Sequence, residues 1–175
     1  MLRFSYSKDT KTIRRQKRQC EGSKRMFWGM VMPNGLIYLK LVNGILNTEN
    51  YMSLLKNYGI KMMKLNMQPA FTFIQDNARP HVSKGSIEFL KSMSLNVLPW
   101  PAKSPDLNIM ENIWKMISDI VYKDVQPANV KELEDLIYRA VDEINNQKRD
   151  TIENLFSSYV GRLTKVLVSQ GNLLS

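Results

Sequence analysis

The stretch FIQDNARPH, residues 73–81, places an acid, an amide and the chain's only histidine directly after an apolar run. Two roles are open to Asp76. An Asp-Asn pair after a strand is ordinary turn chemistry, whereas a carboxylate at the end of a strand is also well placed to bind a ligand at the edge of a sheet. The stretch by itself does not decide between these roles. A second carboxylate that could share a ligand with Asp76 would favour the binding role.

A second acid, Glu111, follows with 34 residues between it and Asp76, inside the segment WPAKSPDLNIMENIW (100–114). Asn108 and Glu111 have the spacing of a helix capping pair, and the helix dipole favours an acid in a first turn. If the two carboxylates of Asp76 and Glu111 meet, however, they offer the oxygen ligands that magnesium or manganese prefers. Two such cations can activate a nucleophile and stabilise the leaving oxygen when a phosphodiester is cleaved.

The composition excludes several other kinds of site. The chain of 175 residues, 43% of them hydrophobic, is long enough for one domain with a real core. Cys20 is the only cysteine, which rules out an internal disulfide and favours a reducing compartment. One cysteine and one histidine are too few for a typical zinc site. We find no apolar run of membrane-spanning length and no signal peptide, and we expect no membrane partner.

The net charge of +9 is concentrated at the N-terminus. Residues 1–25 hold nine basic side chains against Asp9 and Glu21, a net +7, so residues 26–175 are close to neutral. We therefore divide the chain into a basic arm (1–25) and one domain (26–175). Such an arm is suited to salt-sensitive contacts with nucleic-acid phosphates, or else to a solvated tail that aids solubility. The densest cluster, IRRQKRQ, supplies the candidate nucleic-acid-binding residues Arg14, Arg15, Lys17 and Arg18.

The hydrophobic pattern predicts the elements that must position the two acids. The runs MFWGMVM (26–32) and GLIYLKLV (35–42) flank Pro33-Asn34 and predict a hairpin. A helix capped by Thr48 follows, and then AFTFI (70–74) and LNVLPW (95–100) predict short strands on either side of a helix from Val82 to Met93. Three apolar stripes with helical spacing begin at Met110, Val130 and Ile152. This order predicts an α/β fold with helices packed on a sheet.

Together these segments resemble the catalytic domain of the mariner superfamily of DNA transposases, in its Tc-like branch. The resemblance is carried by FIQDNARPH, by the 34-residue interval and by LPWPAKSPDLNIMENIW (98–114), and it extends from GSKRMFWGMVMPNG (22–35) and LVNGILNTENY (41–51) to GRLTKVLVSQGNLL (161–174). It implies a ribonuclease-H-like fold with an Asp-Asp-Glu triad, in which Asp76 is the second acid and Glu111 the third.

The resemblance also implies what such a domain does. It implies two-metal cleavage and transfer of DNA strands in cut-and-paste transposition, with Mg²⁺ or Mn²⁺ as the cofactor. It further implies DNA as a partner (transposon ends and target), a homodimer and a nuclear location. His81 lies near Asp76, but two-metal chemistry needs no general base, so capping or packing at the start of the next helix is the favoured role for His81.

The sequence departs from the family pattern near its N-terminus. The family's first acid lies on the first, central strand of the fold, and only 27 residues precede Trp28 here. We therefore expect this acid, its strand and the N-terminal DNA-reading modules to be missing. Asp9 stands in a polar context, and LRFSY (2–6) is short and has basic surroundings, so both are poor substitutes. Ile109 stands where the family usually has proline, which is pre-organised for a first helical turn.

Three functions remain open on this pattern. The leading one is a truncated, catalytically impaired transposase domain that keeps two of its three metal ligands, so that the activity of this chain as an enzyme stays an open question. The alternative is a non-catalytic, transposase-derived nucleic-acid-binding protein that uses the basic arm. The third is a complete nuclease that uses Asp9.

Overall fold

The computed structural model describes residues 3–5, 24–66, 71–101, 104, 107–123, 126–159, 161 and 164. These residues form two compact units. The first unit contains the described residues up to Val42 and those from Ile109 to Ser157, and the second contains those from Asn43 to Asn108 and after Ser157. Most of the predicted basic arm lies outside the described residues, so the predicted division into arm and domain stays a prediction.

The elements follow the predicted alternation of strands and helices. In chain order they are β1 (Arg3–Ser5), β2 (Lys24–Val31), β3 (Ile37–Val42), α1 (Thr48–Leu54), a π-helical turn (Leu55–Gly59), α2 (Ile60–Asn66), β4 (Thr72–Phe73), α3 (Lys84–Ser92), β5 (Asn96–Val97), α4 (Ile109–Val121), α5 (Val130–Gln147) and α6 (Arg149–Ser157). None of the helices in the described ranges combines the length and the apolar character needed to cross a bilayer.

The first unit is built on an antiparallel sheet in the order β1-β2-β3. The predicted hairpin is confirmed, because β2 and β3 pair from Met26 with Val42 to Val31 with Ile37. Its turn closes with a hydrogen bond from the Gly35 N–H to the Met32 carbonyl, at 3.0 Å. Gly35 has a φ of +77°, a conformation that glycine adopts without a steric penalty.

The segment LRFSY contributes more to this sheet than its short length suggests. Arg3–Ser5 pairs antiparallel with β2, in register from Arg3 with Met26 to Ser5 with Lys24. In the described part of the chain β2 therefore has a ladder partner on both sides, although β1 covers only three residues. Over Lys24, Arg25 and Met26 this pairing covers the side of β2 that an edge strand would leave open.

In the first unit, α4 and α5 bury the apolar stripes predicted for them, whereas the stripe predicted from Ile152 continues past α6 into residues outside the described ranges. Ile113 and Ile117 of α4 and Leu133 and Ile137 of α5 are completely buried, as helical spacing of apolar residues requires. The sheet accepts α4 at Gly29, where an added Cβ would lie 2.8 Å from Cη2 of Trp114 and 2.7 Å from Cε of Met110. Glycine at this position thus lets the helix approach β2 closely.

The open edge of β3 is covered by side chains of α5. The Asn145 side chain accepts a hydrogen bond from the Ile37 N–H at 2.8 Å and donates one to the Ile37 carbonyl at 3.0 Å. Two turns earlier on the helix, the Tyr138 hydroxyl accepts a hydrogen bond from the Leu41 N–H at 3.2 Å. These contacts take the place of a neighbouring strand and protect an edge that would otherwise be free to pair with another chain.

The second unit contains a parallel strand pair connected through a helix. β4 and β5 pair in register from Thr72 with Asn96 to Phe73 with Val97, and α3 forms the connection, as the sequence predicts. Both helix starts differ from the prediction by one or two residues, because Asn47 rather than Thr48 caps α1 and Ser83 caps α3. In each case the side-chain oxygen accepts a backbone N–H of the first turn, which fixes where the helix begins.

Replacing Asn145 tests the edge contact. Asn145→Ala removes both bonds to Ile37 and leaves a partly buried N–H and carbonyl without partners, so we expect a loss of about 1–3 kcal/mol in the free energy of unfolding. Denaturant titration of the purified chain measures it. Asn146→Ala, an exposed neighbour on the same helix, is the matched control and should change stability little. Equal effects of the two substitutions would show that the bonds to Ile37 contribute nothing.

Candidate active site

Asp76 lies three residues beyond the end of β4, at the carboxyl edge of the β4–β5 pair. The chain segments that leave the two strands are tied together, because the Asn77 side-chain amide donates to the Trp100 carbonyl at 3.0 Å. The Leu98 N–H donates to the Phe73 carbonyl at 2.9 Å and extends the ladder. The carboxyl ends of parallel strands are where α/β folds bind ligands, so the position predicted for Asp76 is confirmed.

One carboxylate oxygen of Asp76 accepts two hydrogen bonds. Its Oδ1 accepts from the Ala78 N–H at 3.0 Å and from Nδ1 of His81 at 2.6 Å. The first bond is an Asx turn, so Asp76 does form the turn that its sequence context suggests. Within the described residues no hydrogen bond reaches Oδ2. The turn therefore leaves one oxygen of the carboxylate available to a ligand.

The same contacts keep the Asp76 carboxyl ionised. The His81 hydrogen bond, aided by the Ala78 N–H and by charge on His81, lowers the pKa of Asp76 to about 2, although partial burial acts in the opposite direction. Both donors favour the charged form because a carboxylate accepts hydrogen bonds more strongly than a carboxylic acid. At neutral pH the side chain is thus a negatively charged oxygen donor that is about one third exposed.

Tyr51 and Gln75 hold His81 in place. The rings of Tyr51 and His81 pack with their centroids 4.3 Å apart. The Tyr51 hydroxyl donates to Oε1 of Gln75, and Nε2 of Gln75 donates to the His81 backbone carbonyl at 3.1 Å. Burial, together with the charge of Asp76, raises the pKa of the Tyr51 phenol, so the phenol stays protonated and remains a donor.

The role predicted for His81 is confirmed in part. His81 is buried, as a packing residue should be, but the cap of α3 is Ser83. The sequence does not predict its hydrogen bond to Asp76 or the contributions of Tyr51 and Gln75. Only the five-residue spacing between Asp76 and His81 pointed to it in the sequence, whereas Tyr51 is brought to the site by packing of α1 against α3.

Glu111 lies in the first turn of α4, between the buried residues Ile109 and Ile113. Its side chain is half-buried, and it makes no hydrogen bond or ion pair within the described residues. The capping bond to Asn108 is therefore not formed, and no described side chain or backbone group occupies the carboxylate. Asp76 belongs to the second unit and Glu111 to the first, so that their meeting at one point stays a prediction.

The donor chemistry at Asp76 fits a hard divalent cation. An ionised, partly exposed carboxylate with one unpaired oxygen is the type of ligand that magnesium and manganese prefer. Across the ranges that the structure describes, no three His, Cys, Asp or Glu side chains converge as a complete metal site. The candidate phosphate-binding residues Arg14, Arg15, Lys17 and Arg18 lie outside the described residues, and their role stays a prediction.

Comparison with protein families gives one match over most of the chain. A family described as "DDE superfamily endonuclease" matches residues 2–134. The Tc3 transposase of Caenorhabditis elegans is 30% identical over 156 residues, which cover 89% of this chain and 47% of that protein. The Tcb2 transposase of Caenorhabditis briggsae is 29% identical over 111 residues, which cover 63% of this chain and 40% of that protein. The chain thus spans about half the length of these relatives, or less.

Solved structures show the same fold. The catalytic domain of Mos1 mariner transposase superposes with a TM-score of 0.72 at 20% identity, over 87% of this chain and 76% of that one. A Mos1 paired-end complex with the left transposon end gives a TM-score of 0.79 at 18% identity, over 99% of this chain and 55% of that one. Structures of the Mos1 catalytic domain with raltegravir were solved with Mg and with Mn.

These likenesses confirm the ribonuclease-H-like α/β fold that the sequence predicts. They also confirm the family on which the roles of Asp76 and Glu111 were inferred, although they do not test the two residues themselves. With a family match over most of its length and transposases among its relatives, the chain belongs to the DDE superfamily endonucleases, in the group of the Tc/mariner transposases.

Proposed function

We propose that this chain serves as the catalytic-domain part of a Tc/mariner-type DNA transposase, in which Asp76 and Glu111 hold divalent metal ions for DNA strand cleavage and transfer. The observation that carries the proposal is the ionised Asp76 carboxylate at the carboxyl edge of a parallel strand pair, whose Oδ2 has no hydrogen-bond partner among the described residues. Mg²⁺ or Mn²⁺ is the proposed cofactor, and the Mos1 structures solved with these metals support this choice.

In this proposal the protein contributes position and charge. Bound divalent cations would supply activation of a water or 3′-hydroxyl and stabilisation of the leaving oxygen. Asp76 offers Oδ2 from a carboxylate whose other oxygen is fixed by two donors, and Glu111 offers its oxygens from the first turn of a packed helix. Rigid placement of both matters, because a misplacement of about 1 Å can cost ~100-fold in rate.

The partners of the chain follow from the same proposal. DNA is the proposed substrate, both as transposon ends and as target, and a Mos1 complex with a transposon end supports it. A homodimer and a nuclear location belong to the proposal as well, since a cut-and-paste reaction brings two ends of one element together on chromosomal DNA.

A double-mutant cycle tests whether the two acids share a site. We expect Asp76→Asn and Glu111→Gln each to lower the affinity for Mn²⁺. The double variant should bind Mn²⁺ about as well as the single variant with the lower affinity, because the losses of binding free energy are not additive for two ligands of one site. Electron paramagnetic resonance of free Mn²⁺ measures the affinity in each variant.

Glu88→Gln and Asp119→Asn are the matched controls, since each removes one carboxylate from an exposed helix surface in a different unit. They should leave the affinity unchanged. Strictly additive losses from Asp76→Asn and Glu111→Gln would place the two acids in separate sites and contradict the proposed shared metal centre.

Cleavage by the chain alone is expected to be weak. The resemblance implies three acids, and Asp76 and Glu111 account for two of them. Magnesium demands near-octahedral geometry and gives up its waters reluctantly, so two carboxylates should hold it loosely. We expect purified chain to nick supercoiled DNA at no more than the rate of an Asp76→Ala control, with Mg²⁺ or Mn²⁺. Robust nicking that disappears in this control would mean that a third acid acts, and Asp9 would be the acid to replace.

The second candidate function, nucleic-acid binding without catalysis, is favoured by the net +7 carried in residues 1–25. If Arg14, Arg15, Lys17 and Arg18 all contact phosphates, they should contribute about −3 to −4 to the slope of log K against log salt, near 0.9 for each phosphate. Fluorescence anisotropy with a labelled duplex at several salt concentrations measures that slope in the wild-type chain and in the variant with all four replaced by alanine.

The control for this measurement removes the same charge elsewhere. Four exposed lysines of the second unit are replaced by alanine: Lys56, Lys61, Lys64 and Lys91. A slope that falls equally in both variants would show a general charge effect instead of contacts by the basic arm. Binding that survives Asp76→Asn and Glu111→Gln, in a chain that never cleaves DNA, would favour the binding function over the catalytic one.

A further inference from the structure

We propose that His81 is a positioning residue for Asp76: its Nδ1–H fixes Oδ1 of the carboxylate, so that Oδ2 is the oxygen left to bind metal, while Tyr51 and Gln75 fix His81. This inference rests on the proposed function, since it assumes that Asp76 is a metal ligand. It assigns a role to three side chains that the comparison with relatives leaves without one.

The first step is the bond between His81 and Asp76. The terminal torsion of an aspartate side chain has a broad, two-fold energy profile, so a carboxylate does not choose one orientation unaided. Here Oδ1 accepts from Nδ1 of His81 at 2.6 Å and from the Ala78 N–H at 3.0 Å. Because a carboxylate only accepts, the proton of this bond belongs to His81 Nδ1. Two donors that converge on one oxygen select the orientation.

The second step is what holds the His81 ring. Its backbone carbonyl is bound by the Gln75 amide at 3.1 Å, and its ring packs on Tyr51, whose hydroxyl is bound to the other end of the same Gln75 side chain. The His81 side chain is only 10% exposed. Tyr51 itself is buried in α1. The imidazole is therefore braced through both its backbone and its ring, and it can transmit that order to Asp76.

The third step separates positioning from acid–base catalysis. A general base must reach the proton that it removes, directly or through one water. Nδ1 of His81 is already hydrogen-bonded to Asp76, and Nε2 is buried and has no hydrogen-bond partner in the part of the chain that the structure describes. Neither nitrogen is therefore accessible to a substrate hydroxyl. The hydrogen bond from Nδ1 to the Asp76 carboxylate, in contrast, is direct and only 2.6 Å long. Partners of this kind behind a ligating group typically change metal affinity 10–100-fold when they are removed.

Two substitutions of His81 separate the donor from the ring. His81→Asn keeps an amide nitrogen near the position of Nδ1 but loses most of the ring, while His81→Phe keeps a ring against Tyr51 but has no donor. We expect His81→Phe to weaken Mn²⁺ binding about 10-fold or more, and His81→Asn to retain most of the wild-type affinity. Thermal stability should follow the opposite order, since the ring contributes the packing.

The measurements are Mn²⁺ titration and the melting temperature of the same purified chains. Wild-type affinity in His81→Phe would overturn the inference, and so would losses of affinity that simply follow the loss of stability in both variants. If His81→Asn does not fold, nitrogen NMR of the wild-type chain decides. Because the chain has a single histidine, the imidazole nitrogen signals belong to His81. A spectrum in which Nδ1 carries no proton would also overturn the inference.

Asp76→Asn distinguishes this inference from the function beneath it. If Asp76→Asn binds Mn²⁺ as tightly as wild type, Asp76 is not a ligand, and the proposed function itself fails. If Asp76→Asn loses affinity while His81→Phe keeps it, the metal site stands and only the positioning role is wrong. Loss in Asp76→Asn and His81→Phe, with affinity retained in His81→Asn, supports both.

Discussion

An ionised carboxylate that is partly buried must be hydrogen-bonded, and yet a carboxylate that binds a ligand must keep an oxygen free. Asp76 meets both demands by placing two donors on the same oxygen, Oδ1. The donors offset the cost of burying charge, which is why the pKa of Asp76 falls although burial alone would raise it. The surrounding loop, its histidine and the tyrosine behind it are arranged around this one constraint.

The second unit provides a scaffold suited to that constraint. A strand–helix–strand connection brings the ends of β4 and β5 to one edge, and the link from Asn77 to the Trp100 carbonyl ties the two outgoing segments together. The turn that follows Asp76 carries the chain back to His81, whose N–H donates to the Ala78 carbonyl at 2.8 Å. Short strands suffice here because the loops after them are cross-linked by side chains.

The first unit solves a different problem, which is to keep a three-stranded sheet from pairing with other chains. The open edge of β3 is closed by Asn145 and Tyr138 instead of by another strand. At the Leu41 end of β3, the edge-to-face contact between the rings of Phe27 and Tyr138 packs α5 on the sheet. One helix thus supplies both the apolar cover and the edge hydrogen bonds, and α4, which carries Glu111, packs beside it.

The sequence by itself determined the hairpin, the three C-terminal helical stripes and the place of Asp76 after a strand, because periodicity and turn residues are local signals. It also identified the family, through two segments held at a fixed interval. Only the tertiary structure decided that His81 donates to Oδ1 of Asp76, that Oδ2 has no hydrogen bond within the described residues, and that Tyr51 packs on the His81 ring. These facts depend on residues up to 30 positions apart in the chain meeting in space, and no local pattern encodes which side chains will meet.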